Sequence, residues 1–137
     1  MKIIGNSLAI LVLLLVFLLN SCTKDSGPII IRPPVDTLSF SDTILPILIG
    51  KCYSCHPGYA NLDLGATNSY SELVNVSAVN YPSYSRVVPF DPENSVLYQK
   101  VVGNSQFGSI MPMYADPLTE EEVWLIYDWI AQGALNN

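Results

Sequence analysis

Positive charge is scarce in this sequence. Six Lys and Arg stand against twelve Asp and Glu, giving a net charge of −6 over 137 residues, and no five like charges follow one another. A phosphate-binding surface needs clustered cations, so nucleic acid is excluded as a partner. Charge of either sign is low, at 13%, where soluble proteins average roughly a quarter. Long apolar runs are missing too. The longest, Leu8 to Leu19, has twelve residues, too few to span about 30 Å of hydrocarbon comfortably. Half of the chain is nonetheless apolar, 68 residues, and 15 of these fall within residues 1–21. Without that segment 53 of 116 residues are apolar, about 46%, which is ordinary for one small globular domain. Such a domain is too short for a two-domain nucleotide-dependent enzyme.

Lys2 followed by the Leu8–Leu19 run fits an export signal with a short apolar core. The run ends in Leu19-Asn20-Ser21-Cys22, which resembles the lipobox of bacterial lipoproteins and implies that Cys22 is lipidated and becomes the N-terminus. The competing interpretation is an uncleaved anchor helix with an incidental Cys; both put the remainder outside the cytoplasm. Residues 23–39 hold Gly27, Pro28, Pro33 and Pro34 without helical periodicity, the composition of a spacer. At about 3.3 Å per residue it reaches some 55 Å when extended. The Ile29-Ile30-Ile31 run could instead pack on the domain as an edge strand.

Cysteine and histidine are few, and most of them meet in one place. Apart from Cys22, the chain has Cys52, Cys55 and a single histidine, His56, within Cys52-Tyr53-Ser54-Cys55-His56. C-x-x-C-H is the attachment pattern of c-type haem: the two thiols add to vinyl groups, and the adjacent imidazole becomes the proximal iron ligand. Two other chemistries use similar spacing. A redox C-x-x-C pair belongs beside a βαβ pattern, which the flanking sequence does not show. A closed zinc site takes four Cys or His ligands, and three remain once Cys22 carries lipid. Covalent haem is the expected cofactor. Phe40-Ser41-Asp42-Thr43 offers a helix cap, and Ile44, Leu45, Ile47, Leu48 and Ile49 make a short helix, starting near Leu45 because of Pro46, that ends at the motif.

With no second His, the sixth iron position falls to Met, to a Lys held by its backbone, or to water. Met111 is the expected distal ligand, with Met113 as substitute, in the Gly- and Pro-containing stretch Phe107 to Met113. A thioether is neutral and soft and favours ferrous iron. Leu62 and Leu64 are expected in the haem pocket, and Arg86 either pairs with a haem propionate or is solvated. Short helices are expected over residues 69–74 and from Asn94 or Ser95 to Val102, stopped by Gly103, with Tyr81 to Pro89 as an irregular wrap. The last helix has the fullest signature: a Thr119/Glu122 capping box, a Leu118/Val123 staple and Gly133 as the stop. Glu120, Glu121 and Glu122 then compensate the helix dipole. Val123, Ile126, Tyr127 and Ile130 form a stripe with Trp124 and Trp129 on flanking faces, so the helix buries one broad side and its aromatics are expected as core and haem-wall residues.

Ile44-Leu45-Pro46-Ile47-Leu48 before the haem motif, Leu62-Asp63-Leu64, Arg86-Val87-Val88-Pro89 through Asp91-Pro92-Glu93-Asn94-Ser95, Met111-Pro112, and Trp129-Ile130 with Gly133-Ala134 follow in that order. Together they resemble the small c-type cytochrome domains of the planctomycete-type cytochrome c family, and the likeness covers roughly residues 40–135. It implies an all-α, cytochrome c-like fold of three to five short helices around one covalently attached haem. Cys52 and Cys55 would be the thioether sites, His56 the proximal ligand and Met111 the distal one. The chain departs from the pattern at Phe90, where similar sequences often have Gly, and at Met113, which replaces a second Pro.

The expected organisation is an export signal at 1–21, a lipidated tether at 22–39 and a cytochrome domain at 40–137. The expected function is electron transfer by a lipid-anchored single-haem protein outside the cytoplasmic membrane, with redox proteins as partners. No enzyme activity is expected, because two axial ligands leave no substrate site on the iron. Two rivals are a haem protein reactive toward gas or peroxide through a labile Met111, and a surface lipoprotein in which the haem domain is accessory.

Overall fold

A computed structural model of the chain describes residues 36–137. The expected export signal, Cys22 and the tether up to residue 35 lie outside the described residues. The domain opens slightly before the expected boundary. Leu38 is buried and its N–H donates to Gln132 Oε1 at 2.8 Å, because an apolar side chain and its backbone donor both find partners on the domain. Ser39 is the first cap, its hydroxyl accepting from Asp42 N at 3.1 Å, so the cap lies one residue before the stretch expected to supply it. The π-helical turn Phe40–Ile44 runs directly into α1, Leu45–Lys51. Pro46 sits in the first turn of α1, where a missing N–H costs no intrahelical bond.

Three further helices follow: α2 at Ser69–Leu73, α3 at Val96–Val101 and α4 at Glu120–Ala131. The expectation of an all-α fold needs correction. Strands β1, Ser77–Ala78, and β2, Tyr81–Ser85, pair antiparallel with an irregularity in register between Ser77 and Ala78. Part of the segment expected to wrap irregularly is therefore the longer arm of a hairpin. Tyr81 and Tyr84 supply the drive: both rings lie 5.1 Å from Phe107, forming a small second core with Ala78 and Val96. Ser95 precedes α3 as expected, but its hydroxyl bonds Val88 and Asp91 instead of capping the helix.

The main core gathers Ile126, Trp129 and Ile130 of α4 with Ile44, Leu48, Leu73 and Val87. Trp129, on the flank of the expected stripe and expected in the core, is fully buried. Its ring lies 5.4 Å from Phe40, and its Nε1 donates to Leu135 O at 3.0 Å. Burying an indole removes more apolar surface from water than burying Tyr127, so the stripe turns toward 126, 129 and 130. The capping box of α4 is present in both directions. Thr119 Oγ1 accepts from Glu122 N, and Glu122 Oε2 accepts from Thr119 N at 2.7 Å. The two ends of the domain meet where Ser41 N donates to Asn137 O at 2.9 Å. Among the described residues no helix is long and apolar enough to cross a membrane.

Candidate functional site

The C-terminus of α1 delivers the cysteine motif. Cys52 N donates to Leu48 O, and both Cys55 N and His56 N donate to Cys52 O at 3.1 and 3.0 Å, so one tight turn holds two thiols and the imidazole together. Both thiols are free. Burial, then the neighbouring Cys55 and Glu122, push the Cys52 thiol up from 9.0 to about 11. Its place at the C-terminal end of a helix acts in the same direction. A thiol that keeps its proton at neutral pH is a poor attacking group in disulfide exchange, which weighs against the redox-pair interpretation.

His56 is oriented by the loop that follows it. Its Nδ1 lies 3.2 Å from Tyr59 O. A carbonyl can only accept, so Nδ1 is the donor, and the neutral tautomer with this bond has its lone pair on Nε2. Gly58 N donates to Leu62 O and Leu64 N to His56 O, closing a loop whose turn places Ala60 and Asn61 at φ 58° and 52°. Leu62 and Leu64 line the cavity described below, while Asp63 does not. The Asp63 carboxylate instead accepts from Asn68 Nδ2 and Gly65 N, bonds that hold it below the usual carboxylate range.

Cys52, Cys55, His56, Leu62, Leu64 and Met111 all line one cavity of about 680 Å³. Its volume lies within the roughly 300–1,000 Å³ of small-molecule and cofactor sites. The donor set is two thiols, one imidazole and a thioether. These residues fit a covalently attached haem. Among the described residues no group of three or more His, Cys, Asp or Glu is placed to hold a metal ion directly.

Met111 and Met113 both reach the cavity, but they are held differently. Met113 is 45% exposed. Met111 is half-buried, and its N–H donates to Lys100 O at 2.9 Å, which ties that position to α3. Arg86 is not solvated: at 6% exposure it lines the cavity, with Nη1 donating to Glu72 O and Oε2 at 2.7 and 2.8 Å and Nη2 to Asn61 O at 2.6 Å. It therefore links α2 to the loop beside His56. Sequence reasoning missed these partners, which lie 14 and 25 residues away. It also missed Lys100, which lines the cavity with Leu97 and Val101. Their i, i+3, i+4 spacing was the available signal, one cation on an otherwise apolar stripe. No protein-family model, curated protein or solved structure matches this chain.

Proposed function

We propose that this chain is a small, single-haem c-type cytochrome of the planctomycete-type kind. It acts as an electron carrier, tethered by lipid at Cys22 outside the cytoplasmic membrane. The observation that carries this reading is that Cys52, Cys55, His56 and Met111 line one cavity of about 680 Å³. Cys52 and Cys55 would hold the haem as thioethers, and His56 Nε2 and the Met111 sulfur would ligate its iron. Bound there, haem supplies an iron that gains and loses one electron.

The chain's own residues do the rest. Tyr59 O fixes the tautomer and orientation of the imidazole. Leu62, Leu64, Leu73 and Val101 line the cavity with apolar surface, exclude water and so help to set the potential. The Met111 thioether, being neutral, would favour the reduced state of a bound haem. Three of the five N–H donors of Arg86 are committed to Glu72 and Asn61, and the remaining ones would serve a propionate. With both of these ligands the iron would be closed to substrate, which favours transfer between redox proteins over catalysis.

The test is spectroscopic, on the full chain produced with a haem-attachment system. One covalent haem per chain is expected, lost when Cys52 and Cys55 are both replaced by Ala. The thioether-to-iron band should vanish in Met111→Ala and persist in Met113→Ala, and lipid labelling should vanish in Cys22→Ser. Rapid carbon monoxide binding by the unmutated ferrous protein would favour a gas- or peroxide-reactive role instead. Absence of covalent haem would overturn both readings.

A further inference from the structure

The loop carrying Met111 is held from the α3 side by Lys100, while Tyr81 Oη also donates to Phe107 O. Lys100 of α3 donates from Nζ to Phe107 O at 2.9 Å and to Ser109 O at 2.7 Å, and its own carbonyl accepts from Met111 N at 2.9 Å. Three alternate residues of the loop thus converge on one side chain and its backbone. Gly108, between the two carbonyls, has φ 78°, and a Cβ there would lie 3.3 Å from Tyr81 Oη. The left-handed turn lets both flanking carbonyls face the same ammonium. Beyond Met111, residues 112–117 make no hydrogen bond among the described residues. The segment is next fixed at Leu118, which is buried in the main core.

An ammonium on a mostly apolar cavity wall carries a desolvation cost. Among the described residues the ion pairs join Lys51 to Glu122 and Arg86 to Glu72, and no carboxylate answers Lys100. Burial lowers the Lys100 pKa, as expected where carbonyl dipoles are the only compensation. Neutral side chains could complete an apolar wall at lower cost. What Lys100 adds is two charge-assisted bonds to backbone, stronger than those a neutral donor makes.

We infer that Lys100 is the positioning residue for the distal ligand: it clamps the Phe107–Met111 segment so that the Met111 sulfur stays at the cavity, and so sets how readily the sixth iron position opens. This rests on the haem reading above. Lys100 does not touch the iron in this role, because its Nζ is occupied by two carbonyls.

The experiment compares the haem-loaded full chain with Lys100→Leu, Lys100→Gln and Lys100→Arg, recording the thioether-to-iron band and the rate of carbon monoxide binding to the ferrous form. Lys100→Leu should keep its covalent haem and helical circular dichroism, lose most of the band and bind carbon monoxide at least about tenfold faster, the scale set by losing bonds to a charged group. Lys100→Gln should lie between, and Lys100→Arg should restore the wild-type spectrum. A band and a carbon monoxide rate unchanged in Lys100→Leu would overturn the inference while leaving the haem reading intact. An iron site opened by Lys100→Leu but not by Met111→Ala would overturn it as well, by making Lys100 the ligand. Failure of the unmutated chain to take up covalent haem would remove both readings together.

Discussion

Phe90 occupies a positive-φ backbone conformation that favours Gly. Its φ is 66°, its N–H donates to Ile130 O at 2.8 Å, and its ring lies over Gly133. Gly133 has φ 104°, and a Cβ there would meet Phe90 Cζ at 2.6 Å. Two costs would follow from Gly133→Ala, and they differ in size. The ring of Phe90 is 73% exposed and can swing aside, whereas the backbone of residue 133 is fixed by bonds from Gly133 N to Ile130 O and from Ala134 N to Trp129 O. The backbone term should dominate. Gly133→Ala is expected to cost about 1–3 kcal/mol, and a double-mutant cycle with Phe90→Ala should show a coupling under about 0.5 kcal/mol. Urea unfolding of the four proteins measures both. A larger coupling would mean that the ring is pinned where it lies.

At the scale of elements, α4 is, among the described residues, the only helix longer than two turns, and its start is made by side chains. Replacing Thr119 by Ala removes the acceptor for Glu122 N and should destabilise the domain by about 1 kcal/mol. Glu122→Ala should cost less, since Thr119 N is exposed and can turn to water. Equal losses from the two would contradict this assignment. The capping box was legible in the sequence because all of its partners lie within four residues, and so was the short helix ending at Cys52. The hairpin was not, because β1 has two residues and β2 contains Pro82, so neither offers a run with alternation. It forms through Phe107, which lies far along the chain from Tyr81 and Tyr84. The candidate site divides in the same way. Cys52, Cys55, His56 and Met111 were readable from motif and scarcity, whereas the roles of Arg86 and Lys100 depend on carbonyls contributed by other segments. Backbone acceptors leave no trace in residue identity.

For the whole molecule, the cavity and the core are one stability problem. Leu64 and Leu73 belong to the main core and also line the cavity, so occupation of the cavity should be felt throughout a domain this small. Cys52 makes that connection measurable through pH. As a free thiol its folded pKa is raised from 9.0 to about 11, so the native state binds the proton more tightly than the unfolded chain does. The stability this contributes is fully present below pH 9 and is lost as pH rises toward 11, because in that window the unfolded state has already released the proton. The loss should amount to about 2 to 3 kcal/mol, at roughly 1.4 kcal/mol per unit. Tyr98 and Lys100 are also shifted, but both are present in a Cys52→Ala variant and cancel in the comparison. Urea unfolding of the haem-free protein across that range should therefore show a steeper decline than Cys52→Ala shows, and parallel curves would mean that the thiol is not desolvated. The haem-loaded protein supplies the control. A thioether has no proton to lose, so its stability should lack the Cys52 component altogether, and a decline matching that of the haem-free form would show that Cys52 is not bonded to the cofactor.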